Sequence, residues 1–327
     1  MKLLCNITRG KNIESRHEVY SVAIDEDGKT IFFTGNPDLI TCVRSSLKPF
    51  QASASILSGA TEAAGFNRKE IALMCASHNG EEIHVNTAKD MAKKLKLKAS
   101  DYECGNHAPY DAEARKKIRL SGFTPFHNNC SGKHSGMLAL AKQLKTETAN
   151  YISYNHPVQQ VIFKQLKKLT GKDKLQYGID GCSAPTPFLS LIETAKLFQL
   201  LAQKTFPELT VAYDAMATHP YLIAGKNRFD TDFIEALKDG AVRFVPYSTM
   251  DRWEGSFDQL IKNHESIQSE VLESCEYPTD GVVVELTHSS LKTMLGSTSH
   301  HHRWQIALKQ RSETKQTTII NIVWQTK

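Results

Sequence analysis

The chain has 327 residues, of which 40% are hydrophobic and 23% charged, with a formal charge of +5. This composition is ordinary for a globular protein with one large domain or two. The lysines are scattered in short clusters, such as Lys93 to Lys98, rather than concentrated on one face, which argues against a nucleic-acid partner. No segment approaches 18 apolar residues and no apolar run follows the start, so we expect neither a membrane span nor a signal peptide.

The cysteines predict a reducing compartment. There are seven, an odd number, and they are widely spaced and mostly lie inside apolar runs, as Cys42 and Cys75 do. This pattern fits free thiols better than a disulfide framework. We therefore expect a cytoplasmic protein.

The first eighty residues predict a hairpin, a helix and a buried strand. Strand-forming residues occupy Val19–Ile24 and Thr30–Phe33, with a turn between them. The segment Ser45–Leu57 predicts a helix with Pro49 in its first turn, where a missing N–H costs little. The continuous apolar run Ile71–Ala76 predicts a buried strand that ends in a polar turn.

Helical periodicity dominates the middle of the chain. The predicted helices are Glu81–Leu95, Ser131–Leu144, Pro157–Leu169, Ser190–Gln203 and Glu208–Ala217. A short strand-like segment, Leu175–Ile179, precedes the polar turn Asp180–Thr186. Because strands and helices do not alternate strictly, the pattern favours an α+β fold with a mixed sheet flanked by helices.

The pattern changes after about Gly240. Periodicity fades there, and only Gly281–Leu286 and Thr318–Val323 resemble strands. The segment 240–327 therefore differs in its sequence pattern from the rest of the chain.

The pentapeptide Arg44-Ser45-Ser46-Leu47-Lys48 contains a Ser-x-x-Lys pattern. Residues three apart share a helix face, so Ser45 Oγ and Lys48 Nζ can meet. A lysine shielded from water loses proton affinity and can deprotonate a hydroxyl, which makes the serine a nucleophile. Alone, this short pattern is also common on exposed helices.

Two cysteines lie in polar turns. Cys130 is followed closely by Lys133 and His134, and a thiolate at a helix N-terminus beside cationic groups is stabilised as an anion. Cys182 lies in the polar turn after the strand-like segment. Two thiolates with nearby nitrogen and oxygen donors can hold zinc, although two unrelated buried cysteines would give the same pattern.

Five motifs, taken together and in order, resemble the thermolabile, rhizobial-type L-asparaginase II family. They are Arg44–Lys48, Cys75–Glu81, His127–His134, Asp180–Thr186 and Ala224–Asp230. The resemblance runs from about residue 19 to about residue 237. It implies one asparaginase II-like domain over 1–327, similar in fold to serine β-lactamases and glutaminases.

The resemblance also implies the site and the reaction, hydrolysis of L-asparagine to L-aspartate and ammonia by a usually homodimeric enzyme. By matching position, Ser45 and Lys48 form a catalytic pair and Ser77 is a second catalytic serine. The zinc ligands implied are Cys130, Lys133 and Cys182, with lysine bound as a neutral amine. Arg44, His134 and Asp180 are the implied substrate-binding residues, with Asp180 accepting the α-ammonium group.

The last third departs from the family. In the family, the second catalytic serine is partnered by a lysine in a Lys-x-Gly-x-Glu-Gly stretch. In this chain, Met250 stands at the matching position. Arg252 is close but cannot act as a base. The segment 240–327 is divergent or comes from an altered reading frame, and we therefore expect poor activity or none.

Two other readings stay open. A penicillin-recognising serine acyl-enzyme would carry Lys-Thr-Gly on an active-site strand, and the nearest match, Lys292-Thr293-Met294, lacks the glycine. A zinc-binding remnant would keep the fold and the metal without turnover.

Overall fold

The structure is a computed structural model that describes residues 3–118, 122–238, 281–285 and 305–309, with Gln259, Lys262 and Ser266 as single residues. The chain forms two compact units, Met1–Ala241 and Val242–Lys327. The division lies where the sequence pattern changes. Whether the chain acts as one domain over 1–327 stays a prediction.

The strands form small antiparallel sheets. They are β1 (Leu3–Arg9), β2 (Asn12–Val19), β3 (Ser21–Ile24), β4 (Thr30–Thr34), β5 (Ile40–Cys42), β6 (Tyr177–Ile179), β7 (Pro185–Ser190), β8 (Gly281–Glu285) and β9 (Gln305–Lys309). The strands of β1–β2, β3–β4 and β8–β9 pair antiparallel, and β7 lies between β5 and β6.

The helices make up most of the first unit. They are α1 (Lys48–Leu57), α2 (Ala60–Ala63), α3 (Arg68–Met74), α4 (Glu82–Lys94), α5 (Ala112–Ile118), α6 (Ser131–Gln143), α7 (Pro157–Thr170), α8 (Leu191–Ala202), α9 (Pro207–Thr218), α10 (Pro220–Ile223) and α11 (Phe229–Lys238). This combination of helices with small sheets is compatible with the predicted α+β class.

Most predicted elements are confirmed. The five helices of the middle region are present as α4, α6, α7, α8 and α9, each within a residue or two of the predicted ends. The hairpin near the start is present as β3 and β4. The predicted helix Ser45–Leu57 begins as a 3₁₀ turn, Arg44–Leu47, before it continues as α1.

The prediction of a strand at Ile71–Ala76 is wrong, since this run lies largely in α3. The helix starts at a capping box in which Asn67 accepts from Glu70 N and Glu70 accepts from Asn67 N. All residues from Glu70 to Ala76 are buried. A helix buried on every side shows the same continuous apolar run as a buried strand, so periodicity could not separate them.

Strand β7 was not predicted, because it contains Pro185 and Pro187. Proline donates no hydrogen bond to a sheet and rarely lies in a central strand. Here the pairings on either side are only three residues long. Pro187 contributes its carbonyl oxygen, which accepts from Val43 N at 3.4 Å.

The core of the first unit is helical. Helices α1, α3 and α6 bury Phe50, Leu73 and Leu138 almost completely. Gly132 lets α6 approach α3 closely, since a Cβ at this position would lie 2.1 Å from Leu73 O. The first turn of α6, which carries Lys133 and His134, is therefore held against α3.

In the second unit, β8 and β9 pair antiparallel. The predicted strand at Gly281–Leu286 is confirmed over Gly281–Glu285. The predicted strand Thr318–Val323 and the altered position Met250 lie outside the described residues. Within the described segments, no helix combines the length and the apolar character that a bilayer crossing requires.

Candidate active site and metal centre

The ammonium group of Lys48 lies between two loops. Lys48 Nζ donates to Ala76 O and, at 3.0 Å, to Asn129 O. The side chain is fully buried at the start of α1. Burial lowers the pKa of the Lys48 ammonium, although the neighbouring Cys130 opposes that shift. A buried lysine of lowered pKa is suited to accept a proton.

Ser45 and Ser77 both lie close in the chain to groups that hold this lysine. Ser45 is half-buried in the 3₁₀ turn before α1. Ser77 is half-buried and directly follows Ala76, whose carbonyl accepts from Lys48. Within the described residues, Lys48 Nζ donates to the two carbonyls and not to Ser45 Oγ. The Ser45–Lys48 pairing therefore stays a prediction, because catalytic hydrogen bonds often tighten only with substrate.

The loop after Ser77 is fixed to the segment before α11. Ser77 N donates to Ile223 O at 3.0 Å, and Asn79 N donates to Ala224 O at 2.8 Å. Gly225 has a φ of +109°, and a Cβ there would lie 2.1 Å from a carboxylate oxygen of Glu81. The motif around Gly225 therefore acts as a structural support for the Ser77 loop.

Asn129 was not among the predicted site residues. Its side-chain Nδ2 donates to Ser77 Oγ at 3.1 Å. The contact joins positions 52 residues apart in the sequence. Its only advance signal is its place in the motif that contains Cys130.

Two predicted zinc ligands and one predicted substrate-binding residue form a cluster. The ligand atoms of Cys130, Asp180 and Cys182 all lie within 4.8 Å of one another. Lys133 Nζ is 2.9 Å from Cys182 Sγ. Both cysteines and Lys133 are buried. Sulfur, nitrogen and carboxylate donors at this separation fit a zinc ion.

The cluster is electrostatically prepared for a thiolate. The hydrogen bond with Cys182 lowers the pKa of the Cys130 thiol to about 5, with Lys48 and Lys133 adding to the effect. Cys130 is also the residue directly before α6, and the N-terminus of a helix stabilises an anion. Burial lowers the pKa of Lys133, but Cys130, Cys182 and Asp180 together raise it by more, so the net pKa is raised.

Asp180 links this cluster to the surface. Its Oδ1 accepts from Arg44 Nε at 3.1 Å and from Gly181 N at 2.8 Å. The Arg44 side chain is 67% exposed, whereas that of Asp180 is 8% exposed. Arg44 and Asp180 therefore present opposite charges at the outer edge of the cluster.

His134 lies on the inner side of the site. It is fully buried in α6, and its Nδ1 is 2.6 Å from the hydroxyl of Tyr151. Burial lowers the pKa of His134. The structure thus brings all nine predicted site residues onto α1, α6, and the loops that adjoin α1, α3, α6 and β6.

Buried histidines near the site predict acid sensitivity. Burial lowers the pKa values of His78, His84 and His127. Below about pH 6.5, the unfolded chain binds protons at these histidines that the folded chain does not. The contribution of these histidines to the unfolding free energy is therefore fully present above that pH and falls as the pH decreases toward the pKa values of the folded chain. For each proton that the unfolded chain binds in excess of the folded chain, the unfolding free energy falls by about 1.4 kcal/mol per pH unit.

Urea unfolding at pH 7.5 and pH 5.5 measures this loss. His78 Nε2 now donates to Ser131 Oγ at 2.9 Å. Glutamine can make the same hydrogen bond but does not titrate, so His78→Gln should reduce the difference in unfolding free energy between the two pH values. An unchanged pH dependence in His78→Gln would contradict the assignment to this residue.

Comparison with known families decides the membership of the chain. A family model described as L-asparaginase II matches residues 5–243. The chain belongs to the L-asparaginase II family. Membership supports a hydrolase with a small-molecule substrate, and asparagine hydrolysis in general.

Curated proteins similar to part of the chain are DNA ligases. The chain is 44% identical over 91 residues to the DNA ligase of Desulfatibacillum aliphaticivorans, which covers 28% of this chain and 14% of the ligase. It is 35% identical over 104 residues to that of Psychromonas ingrahamii, covering 32% of this chain and 16% of the ligase. For Borrelia hermsii, the identity is 45% over 120 residues, covering 37% and 17%.

The chain thus spans less than a fifth of the length of these relatives. The absence of a nucleic-acid partner stays a prediction.

Proposed function

We propose that the unit Met1–Ala241 hydrolyses the side-chain amide of L-asparagine to give L-aspartate and ammonia. The observation that carries this proposal is the buried Lys48, whose Nζ donates to Ala76 O and Asn129 O and whose lowered pKa favours the neutral amine. These carbonyls adjoin Ser77 and Cys130, so a proton acceptor, a serine and the cysteine–aspartate cluster meet in one place.

The proposed reaction has two stages. A serine oxygen bonds to the amide carbon while Lys48 accepts the hydroxyl proton. The carbon–nitrogen bond then breaks, and the departing nitrogen takes a proton to leave as ammonia. Water hydrolyses the resulting ester and frees aspartate. Ser45 is the proposed nucleophile, with Ser77 as a second catalytic serine.

The charge pair at the outer edge of the cluster suits an α-amino acid. We assign the α-ammonium to Asp180, whose pKa is lowered by Gly181 N, Lys133 and Arg44 despite the opposing effect of burial. The partly exposed guanidinium of Arg44 then faces the α-carboxylate. A planar guanidinium matches a carboxylate in geometry as well as charge. His134 lines the same site from α6.

The donor set supports a zinc ion held by Cys130, Cys182 and Lys133, with Asp180 beside it. Zinc bound there would supply positive charge that polarises a carbonyl oxygen. The raised pKa of Lys133 means that its amine must lose a proton before it can bind the metal.

The fold, the cellular location and the oligomeric state also belong to this proposal. A fold similar to serine β-lactamases and glutaminases agrees with the mixed helices and sheets. The free thiols of the described cysteines agree with a cytoplasmic location. We also propose a homodimer, which rests on the family resemblance alone.

We infer that the stretch similar to DNA ligases includes the second compact unit. The family model ends at residue 243, and the units divide at Ala241 and Val242. The matched stretches of 91 to 120 residues are longer than 242–327, so they also reach residues before the division. Because 14–17% of a ligase is represented, we assign this unit no DNA-joining activity.

A second unit that differs from the last third of the family leaves Ser77 without the lysine that the family supplies there. Met250 has no titratable nitrogen, so proton transfer at Ser77 loses its partner. We propose that the chain is poorly active for this reason.

Ammonia release from L-asparagine tests both proposals. The full chain should be about 100-fold slower than a chain that carries a family-like segment from Gly240 onward, since losing a general base typically costs at least that factor. Met250→Lys alone should rescue little, because the surrounding segment is also different. A native rate equal to that of the replaced chain would refute the poor-activity proposal, and no ammonia from either chain would refute asparagine hydrolysis.

Two alternatives have separate tests. Covalent acylation of Ser45 by penicillin would favour a penicillin-recognising enzyme, whose Lys292-Thr293-Met294 lies outside the described residues. Bound zinc without ammonia release from either chain would favour a remnant that has lost turnover.

A further inference from the structure

We propose that Asn129 is a further catalytic residue, whose side-chain N–H stabilises negative charge on Ser77 Oγ. The Asn129 amide nitrogen lies 3.1 Å from that oxygen. The backbone carbonyl of the same residue accepts from Lys48 Nζ at 3.0 Å. Asn129 therefore contacts both a candidate nucleophile and the candidate base. This inference rests on the proposed function in taking Ser77 as a reacting group.

Neighbouring contacts hold Asn129 in position. Asn128 Nδ2 donates to Cys104 O at 2.8 Å, and Asn128 Oδ1 accepts from Cys130 N at 2.9 Å. These bonds fix the backbone on both sides of Asn129. A donor that is already oriented stabilises developing charge without reorganising during the reaction.

Ser77 is held equally well on its side of the contact. Its N–H donates to Ile223 O, and Asn79 two residues later pairs with Ala224. The loops that carry Asn129 and Ser77 are thus both held by hydrogen bonds to neighbouring segments.

The proposed role is electrostatic. A carboxamide cannot accept the proton that Ser77 releases, so Asn129 is not the base. Its N–H instead stabilises the oxygen that remains as the proton leaves. Removing one donor of this kind typically slows an enzyme about 10²–10³-fold.

A purely structural role predicts a different order of variants. Asn129→Asp keeps the size of the side chain and can accept from the Ser77 hydroxyl, so a structural link would tolerate it better than Asn129→Ala. An electrostatic role predicts the reverse order, because a carboxylate beside Ser77 Oγ opposes the formation of an alkoxide.

Labelling of the full chain with a fluorophosphonate probe distinguishes the two roles. The Ser77 oxygen bonds to phosphorus, the phosphorus–fluorine bond breaks, fluoride leaves and the hydroxyl proton passes to solvent. Peptide mass spectrometry then gives the labelling rate at Ser77 as a function of pH, with the exposed Ser153 as an internal reference.

We expect Asn129→Ala to label Ser77 about 100-fold more slowly than the native chain, and Asn129→Asp to label it more slowly still. Its rate should also recover only at higher pH. Asn86→Asp, which makes the same charge change on the exposed face of α4, should label as the native chain does. Unfolding curves recorded for every variant confirm that each one is folded.

Two outcomes would overturn the inference: Asn129→Asp labelling as fast as Asn86→Asp, or Asn129→Asp labelling faster than Asn129→Ala. Ammonia release is measured separately on the same preparations. Lack of ammonia both from these preparations and from the chain with the family-like segment, together with the expected labelling order, would refute asparagine hydrolysis but leave the role of Asn129 intact.

Discussion

Replacing Ser45 by alanine is expected to reduce ammonia release from L-asparagine by at least about 10³-fold, without loss of folded structure. Removing the nucleophile alone disables a catalytic unit almost as fully as removing all its members. Ser45 is half-buried in a turn, so losing one hydroxyl should change the unfolding free energy little. The measurement uses both the native chain and the chain with a family-like segment from Gly240.

Ser46→Ala is the matched control, because Ser46 is the exposed neighbour in the same turn. It should retain the rate of its parent chain. If Ser45→Ala also retains most of that rate, Ser45 is not essential and Ser77 becomes the leading nucleophile.

Lys48→Met should abolish turnover as well, but the structure predicts an additional effect on folding. Methionine leaves Ala76 O and Asn129 O without the donor that now serves them. A buried acceptor without a partner costs about 1–3 kcal/mol. Removing a buried charge offsets part of that cost. The unfolding free energy of Lys48→Met must therefore be measured beside its rate.

Zinc is expected to co-purify with the chain at about one ion per molecule, as for a single site with two thiolate ligands. Cys130→Ala and Cys182→Ala should each reduce the zinc content to near zero. Both remove a sulfur whose partner atoms lie within 4.8 Å. Elemental analysis of protein prepared without chelators gives the metal content directly.

Cys75→Ala is the control for this experiment. Cys75 is also buried, but burial raises the pKa of its thiol to about 12, so it stays protonated and does not bind metal at neutral pH. It should keep the full zinc content. Metal-free native protein, or unchanged zinc in Cys130→Ala and Cys182→Ala, would refute the zinc site. Chelation of the native chain should also lower its melting temperature, since a ligand of the folded state stabilises it.

Local patterns predicted the helices well because their periodicity and end signals lie within a few residues. Helix α7, for example, ends at Gly171, whose φ of +67° is a common helix end signal. The run around Leu73 was misassigned because full burial removes the periodicity on which the distinction depends.

The site was harder to predict from local patterns. The proximity of Cys130 to Cys182 follows from the fold, and only the family resemblance placed them together in advance. The bond between Asn129 and Ser77 joins two loops far apart in sequence, and no spacing rule predicts such a contact. The loss of pattern after about Gly240 marked the last third as different, but the similarity of part of the chain to DNA ligases emerged only from the comparisons.

The close approach at Gly132 affects how this family can evolve. A side chain at that position would collide with Leu73 O, and the start of α6 would have to move away from α3. Selection for a stable core should therefore retain glycine at position 132 even in descendants that no longer turn over substrate. A glycine there is evidence of packing rather than of activity, and a kinetic measurement is needed to distinguish a working enzyme from an inactive descendant.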